Sequence, residues 1–251
     1  MQQKVQQNQP DGVPPLRLTG ERTLPDVPAE NYWFRRHLAV YEWVAERCAG
    51  LDVVDMACGE GYGVDVLARR ARRVIGVDAN PEAHQHARLR YSRPGVRFVR
   101  ELVESYAEPC DALVFLQTIE HLPEPAAVLR HFKQLLRPDG TAYVSTPNLL
   151  TLAPQGADKS DNPWHLREYR AQEFRALCEG VFERVELLGL FHARKLRAHE
   201  LALRAGWDRV HPALGITQPF YDRFTTVVSA RDFRLRPGTL EGALDFVAVL
   251  R

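Results

Sequence analysis

One apolar run that breaks into three closely spaced glycines constrains this 251-residue chain more than any other stretch. Leu51 to Met56 is short, apolar and rich in valine, which is typical of a strand buried on both faces of a parallel sheet. Gly59, Gly61 and Gly63 follow, and a helical pattern then resumes. Glycines at such a turn let a ligand lie against main-chain N–H groups at the start of a helix. The stretch therefore predicts a strand, a ligand-binding turn and a helix.

The next apolar run, Val74 to Val77, ends in an acidic residue. Asp78 lies close to the offset of about 20 residues at which a carboxylate reaches the ribose hydroxyls of a bound nucleoside. A dinucleotide site would have the spacing G-x-G-x-x-G, whereas this turn reads G-x-G-x-G. Asp55, just before the turn, would repel a pyrophosphate and attract a cation. These residues favour a cationic nucleoside cofactor.

Strands alternate with helical patterns throughout residues 51 to 146. This alternation predicts an α/β fold with a doubly wound, mostly parallel sheet. An aromatic and basic segment that includes His192 and Trp207 interrupts the pattern before the last strand, and it is expected to form a lid that binds the acceptor. The predicted units are a disordered tail (1–15), a helical cap (16–50), the cofactor-binding core (51–191), the lid (192–242) and the closing strand (243–251).

Charge and cysteine content limit the partners of the chain. A net charge of +1 gives no general attraction to nucleic acid or to an anionic membrane. We find neither an apolar run long enough to span a bilayer nor a signal peptide, and the four cysteines lack metal-ligand spacing. The sequence therefore predicts a cytoplasmic protein with reduced thiols and without nucleic-acid or membrane partners. Assembly into a homo-oligomer stays open.

Polar side chains come directly after a fourth buried strand, Asp111 to Leu116. They are Gln117, Thr118, Glu120 and His121. Because α/β proteins bind ligands at the carboxyl ends of parallel strands, this cluster is a candidate catalytic site. The alternatives are a structural hydrogen bond for the carboxyl group and a buried, satisfied imidazole for the histidine.

The glycine turn, the Glu120-His121-Leu122 sequence and the turn at 136–140 together resemble the class I S-adenosylmethionine-dependent methyltransferases. The resemblance implies a Rossmann-like sheet of seven strands, the last of them antiparallel. It also implies S-adenosylmethionine as the cofactor, with a preceding helix closing over the cofactor's carboxylate. The cofactor-binding residues that it implies are Asp55, Ala57, Cys58, Gly59, Gly61, Tyr62, Asp78, Ala79, Glu101, Leu102, Gln117 and Thr118, together with Tyr32 and Arg36 of the preceding helix.

A second resemblance concerns the acceptor. The Asn-Pro-Trp-His-Leu-Arg-Glu sequence at 162–168, with the stretches at 20–25 and 30–37, resembles bacterial and actinobacterial methyltransferases that act on saccharides. It implies O-methylation of a hydroxyl on a sugar or oligosaccharide acceptor. The alternatives are a non-sugar acceptor such as a quinone or polyketide, or a non-catalytic module on the same fold. A non-catalytic module is disfavoured, because the chain keeps the full set of cofactor residues Asp55, Gly59, Gly61 and Asp78.

A sugar hydroxyl needs a base as the new bond forms, and histidine is suited to that role near neutral pH. His121 matches by motif position the base proposed for a sugar O-methyltransferase of this superfamily, and His165 is the second candidate. A third possibility is a divalent-ion site formed by Asp158, Asp161, His165 and Glu168. Their loop setting favours solvated polar residues, so no metal site is predicted.

Overall fold

A computed structural model describes residues 5–20, 22–154 and 156–251. Within these residues, eight strands form one sheet in the order β3-β2-β1-β4-β5-β8-β6-β7. The strands are β1 (Asp52–Met56), β2 (Arg73–Val77), β3 (Val96–Val99), β4 (Cys110–Leu116), β5 (Leu136–Pro147), β6 (Val185–His192), β7 (Phe233–Arg236) and β8 (Asp245–Leu250).

Strands β1 to β5 pair in parallel, and β8 lies antiparallel between β5 and β6. The predicted doubly wound α/β fold with an antiparallel last strand is therefore confirmed. The strand order reverses between β1 and β4, and ligands of such sheets bind in the crevice at the carboxyl ends of the strands on either side of this point.

The α-helices cover both faces of this sheet. Phe132 and Phe174 belong to one buried apolar cluster, and Val44 and Val64 belong to the cluster on the opposite face. None of the described helices has the length and apolar character needed to cross a membrane. The helices are α1 (Asn31–Ala45), α2 (Tyr62–Leu67), α3 (Pro81–Arg90), α4 (Pro125–Leu135), α5 (Leu149–Leu152), α6 (Ala171–Glu179), α7 (Arg194–Arg204), α8 (Trp207–Ala213) and α9 (Thr217–Thr226).

The sheet has one strand more than the seven predicted. Residues 233–236, which we expected to lie outside the sheet, form β7 and pair antiparallel with β6, for example Leu235 with Leu190. Arg234 and Arg236 of this edge strand are exposed, so its four residues lack the apolar run by which we identified the other strands. The rest of the 192–242 segment is mainly helical, with α7, α8 and α9.

Residues 5–15, expected to belong to a disordered tail, include residues with specific contacts, and residues 1–4 lie outside the described part. Val5 forms an isolated β-bridge with Arg17, and the Gln6 side chain is buried. The Gln6 amide donates to Glu60 Oε1 over 2.9 Å. A buried carboxyl group needs hydrogen-bond donors, and the polar amino-terminal segment supplies one.

Candidate functional site

Two cavities lie next to each other along the carboxyl ends of the central strands. The first, here the turn cavity, has a volume of about 670 Å³ and is lined by Gly59 and by residues that follow β2, β3 and β4. The second, here the histidine cavity, has a volume of about 630 Å³ and is lined by residues 20–37, 117–121 and 147–165. Arg22, Gln117 and His121 line both, so the two cavities meet at these side chains.

The glycine turn opens into the turn cavity at Gly59. This residue has φ +54°, and a Cβ added to it would meet no atom within 4 Å. Ala57 and Gln117, which also line the cavity, have φ values of 55° and 53°. Non-glycine residues rarely adopt positive φ, and such residues cluster at functional sites.

Gly61 has a structural role, and its predicted contact with the cofactor stays a prediction. Its φ is +100°, and an added Cβ would lie 2.8 Å from the Cβ of Ala87 in α3 and 3.0 Å from the Tyr91 ring. The absent side chain therefore makes room for α3. Gly61 is not among the residues that line the turn cavity.

Asp78 lies at the end of β2 and lines the turn cavity. Its Oδ2 accepts from the Gly59 N–H over 2.8 Å, and its Oδ1 accepts from the Asn80 N–H over 2.9 Å. The carboxylate therefore ties the glycine turn to the start of α3. Each oxygen retains a second lone pair for a ligand hydroxyl.

Asp55 is fully buried at the end of β1. The Tyr41 hydroxyl donates to its Oδ1 over 3.3 Å, while Oδ2 has no hydrogen-bond partner among the described residues. Burial raises the pKa of this carboxyl well above its usual range. A cationic ligand group bound at the turn would give Oδ2 a partner and favour ionisation.

Four more of the predicted cofactor residues line the turn cavity, namely Ala79, Glu101, Leu102 and Thr118. The sequence reasoning missed the residues that cover the cavity from the 156–170 loop. These are Pro163, Trp164 and Leu166, and the Trp164 side chain is 47% exposed. The Asn-Pro-Trp-His sequence was the available signal, but we assigned it to the acceptor alone.

Three more predicted cofactor residues, like Asp55 and Gly61, are not among the residues that line the turn cavity. Cys58 is buried, and its Sγ lies 2.9 Å from the position of a Cβ added to Gly76. The Tyr62 hydroxyl lies 3.1 Å from Thr23 Oγ1, and the Tyr32 hydroxyl lies 2.8 Å from His192 Nε2. The Tyr62 and Tyr32 contacts join the amino-terminal cap to the core.

Arg36 lines the histidine cavity, but its charge is already paired. Its Nε and one terminal nitrogen each donate to an Asp245 oxygen over 2.6 Å, and both side chains are almost fully buried. A further bond runs from Arg36 to the Leu244 carbonyl oxygen. The predicted role of Arg36 in binding the cofactor's carboxylate therefore competes with a buried, bidentate ion pair.

Glu120, His121 and His165 come together at the boundary with the histidine cavity. One ligating atom from each lies within 4.8 Å of those of the other two. The two imidazole rings meet edge to face with their centroids 5.0 Å apart. Glu120 Oε2 accepts from the Thr146 hydroxyl over 3.1 Å, and burial raises the pKa of this carboxyl to about 8.

Each imidazole of this cluster is oriented by another group of the loop. His121 Nδ1 lies 2.8 Å from the Trp164 carbonyl oxygen, and His165 Nδ1 lies 2.7 Å from Glu168 Oε1. Ser160 donates to Glu168 through both its N–H and its hydroxyl. Burial opposes ionisation of Glu168, but the bonds from Ser160 and His165 together hold its pKa below the usual range.

The four-residue metal set considered from the sequence is not brought together. His165 and Glu168 touch, whereas Asp158 and Asp161 are exposed and do not belong to any group of ligating atoms found among the described residues. Asp161 instead lines the rim of the histidine cavity.

The described residues that line the two cavities include none from the 192–242 segment, which was expected to form the acceptor-binding lid. The cover comes from the segments at 20–37 and 147–166. Within the first, Trp33 and His37 both line the histidine cavity. Burial lowers the pKa of His37 to about 4. The acceptor-binding role of 192–242 stays a prediction.

Comparison with known proteins identifies relatives along most of the chain. Residues 29–201 match the sequence model of a methyltransferase domain. A probable S-adenosylmethionine-dependent methyltransferase from Mycolicibacterium smegmatis is 41% identical over 254 residues, which cover 96% of this chain and 97% of the relative. A ubiquinone biosynthesis O-methyltransferase from Yersinia enterocolitica is 34% identical over 116 residues, and the match spans 43% of this chain and about half of that enzyme, 48%.

Solved structures share the fold. A methyltransferase from Thermotoga maritima, described as a possible histamine N-methyltransferase, superposes with a TM-score of 0.59. The superposition covers 88% of this chain and 93% of that one, at 16% sequence identity. At this identity the likeness concerns the fold alone.

Proposed function

Because the chain belongs to the S-adenosylmethionine-dependent methyltransferases, we propose that it methylates a hydroxyl of a sugar or of a saccharide-containing metabolite. The observation that carries this proposal is the meeting of the two cavities at Gln117 and His121. One cavity has the features of a nucleoside site, and the other has room for a second molecule. Methyl transfer requires two ligands to face each other at one point.

S-adenosylmethionine, the cofactor of this family, fits the turn cavity on three observations. Gly59 lets a ligand approach the backbone, and Asp78 lies where a ribose would find two acceptor oxygens. The orphaned Oδ2 of Asp55 matches the positive charge at the methionine end of the cofactor. In the proposed pose, Glu101 and Leu102 flank the adenine, and the methyl group points towards the histidine cavity.

When bound, the cofactor supplies a methyl group already activated by its positively charged sulfur. The chain has to align the acceptor oxygen in line with the methyl carbon and remove the hydroxyl proton. His121 is the proposed base. Its Nδ1 faces a carbonyl oxygen, which can only accept, so the proton of the neutral ring lies on Nδ1 and the lone pair on Nε2. His165, held by Glu168, is the second candidate.

The lining of the histidine cavity supports a sugar acceptor. Trp33, 39% exposed, offers a flat apolar surface, as the faces of sugar rings need. Thr23, Asp161 and Asn162 supply polar groups around the same cavity. A few polar groups in an otherwise apolar pocket are the usual means of fixing the orientation of a small ligand.

A second candidate acceptor is a hydroxyl on an aromatic ring. The relative named a ubiquinone biosynthesis O-methyltransferase favours it, although the match spans less than half of either chain. Trp33 would also stack on such a ring. The two candidates differ in the acceptor alone and share the same cofactor site and base.

An acceptor screen with methyl-labelled S-adenosylmethionine tests the proposal. One set of acceptors carries sugar hydroxyls, and a matched set carries phenols and catechols. We expect label in an alkali-stable methyl ether on a saccharide. Label on the aromatic set alone would select the second candidate. Label that is released by mild alkali, as from a methyl ester, or that is bound to nitrogen would contradict O-methylation.

A further inference from the structure

We propose that Glu120, His121 and His165 form a binding site for one divalent cation, whose remaining coordination positions face the histidine cavity. The three ligating atoms lie within 4.8 Å of one another, close enough for small side-chain shifts to bring them around one ion. They come from two segments, the turn after β4 and the loop at 156–170. All three side chains line the histidine cavity.

The contacts behind the two imidazoles are those of metal-ligating histidines. Such histidines donate their other ring N–H to a carbonyl or a carboxylate, which fixes the tautomer and orients the ring. His121 Nδ1 faces the Trp164 carbonyl oxygen at 2.8 Å, and His165 Nδ1 faces Glu168 Oε1 at 2.7 Å. In both rings, Nε2 is therefore the nitrogen that binds the ion.

The local charge also suits a cation. Glu120 and Glu168 bring two carboxyl groups to the cluster, and Glu120 is 1% exposed. A buried carboxylate needs a positive partner. Two arginines, Arg22 and Arg36, line the same cavity, and Arg36 is already held by both oxygens of Asp245. A divalent ion would balance the two carboxylates while the imidazoles stay neutral.

The contact at His165 Nε2 has to open when the cation binds. The Asn162 side-chain amide nitrogen lies 3.0 Å from His165 Nε2, and the oxygen of the same amide accepts from the Trp164 N–H. A single hydrogen bond between neutral groups is weak beside a metal–nitrogen bond. Asn162→Ala keeps all three ligands, so we expect it to bind the cation at least as tightly as the wild type.

Two imidazole nitrogens and one carboxylate oxygen with open positions suit Mn²⁺, Fe²⁺ or Zn²⁺ better than Ca²⁺, which takes six to eight oxygens. The chemical consequence rests on the proposed O-methylation. A bound cation lowers the pKa of an acceptor hydroxyl that ligates it, and an adjacent hydroxyl can occupy a second position. With the cation bound, His121 is a ligand and no longer the base proposed above, so the hydroxyl proton passes to solvent water. The oxygen then receives the methyl group as the sulfur–methyl bond breaks.

The binding test uses Mn²⁺ alone with the full chain, stripped by a chelator and free of cofactor and acceptor. Isothermal titration and electron paramagnetic resonance should both give one Mn²⁺ per chain. Two ligand variants, Glu120→Gln and His165→Gln, should weaken Mn²⁺ binding at least 10-fold. Glu120→Gln keeps an oxygen that accepts from the Thr146 hydroxyl. The control His84→Ala, outside the cavity, should leave Mn²⁺ binding unchanged. Absence of Mn²⁺ binding at millimolar concentration, or equal affinity in wild type and Glu120→Gln with intact thermal melting, overturns the site.

A transfer assay separates this inference from the proposed function. Label transfer from S-adenosylmethionine to a hydroxyl acceptor is measured with chelator and after Mn²⁺ is restored. We expect transfer to fall at least 10-fold in chelator and to recover with Mn²⁺. Transfer that persists in chelator overturns the role of the cation and leaves the O-methyltransferase standing. One bound Mn²⁺ without transfer to any hydroxyl supports the site and counts against the proposed function.

Discussion

Replacing Asp78 with alanine should weaken binding of S-adenosylmethionine without unfolding the protein. In the structure the carboxylate already accepts from the Gly59 and Asn80 N–H groups over 2.8 and 2.9 Å. If the same oxygens accept from the ribose hydroxyls, Asp78→Ala removes those bonds and loosens the turn that the cofactor contacts. Hydrogen bonds to a charged group contribute about 1.5–3 kcal/mol, so affinity should fall roughly 10- to 150-fold.

Asp78→Asn should lose less, because the amide keeps one acceptor oxygen. Affinities are measured by isothermal titration with S-adenosylmethionine and S-adenosylhomocysteine. The matched control is Asp65→Ala in α2, where the carboxylate pairs with Arg69 and Arg93 away from the turn cavity. This control should bind the cofactor as the wild type does.

A cofactor analogue that lacks both ribose hydroxyls separates ribose binding from turn stabilisation. Wild type should bind S-adenosylhomocysteine more tightly than this analogue, and Asp78→Ala should lose most of that preference. Unchanged affinity in a folded Asp78→Ala protein would remove Asp78 from the ribose site. An equal preference in both proteins would restrict its role to holding the turn.

Three further outcomes are expected. His121→Ala should cut turnover by about 10²–10⁴-fold with cofactor affinity unchanged, and near-normal turnover, measured with labelled cofactor, would exclude a role in the chemical step. Arg36→Met leaves Asp245 buried without its cation, so urea unfolding should show a loss of about 3–5 kcal/mol, much of it regained in the double variant Arg36→Met, Asp245→Leu. Because the pKa of His37 falls from 6.5 in the unfolded chain to about 4 in the fold, the unfolded state binds more protons between these pH values and stability decreases as pH drops from 6.5 to 4. The partly exposed ring limits the loss of stability to about 1–3 kcal/mol. The free energy of unfolding of His37→Gln should therefore depend less on pH by that amount. The same pH dependence in both proteins would contradict the role of His37.

Sequence patterns were sufficient for features with a local signature. Apolar runs bounded by turn residues marked β1, β2 and β4, and the glycines marked the turn at Gly59. The carboxyl ends of neighbouring parallel strands lie at one edge of a sheet, so the positions of Asp78 and Gln117 followed from strand order alone. The antiparallel β8 followed from the family resemblance.

Contacts between distant parts of the chain left no such signature. Arg36 pairs with Asp245, 209 positions later, and no local sequence pattern predicts this ion pair. Gly61 lies in the glycine motif, yet its missing side chain accommodates α3. The composition of the Gln-rich start of the chain predicts disorder. The Gln6 side chain is instead held by its hydrogen bond to the buried Glu60.

The sequence predicted the residues of the candidate site but not how they are arranged in space. His121 and His165 were identified separately, each from the sequence around it. Their contact depends on the loop at 156–170, where the Trp164 carbonyl and Glu168 orient the two rings. Loop conformation follows from specific hydrogen bonds rather than from hydrophobic periodicity, so the cluster with Glu120 emerged only from the structure.

A crystal structure with bound S-adenosylhomocysteine tests the central claim most directly, because it locates the reacting sulfur relative to the two cavities. We expect the ribose to contact Asp78 and the amino group of the homocysteine to lie against Asp55. The sulfur should lie beside Gln117, at the opening to the histidine cavity. A sulfur that faces away from His121, or a nucleoside bound outside the turn cavity, would contradict it.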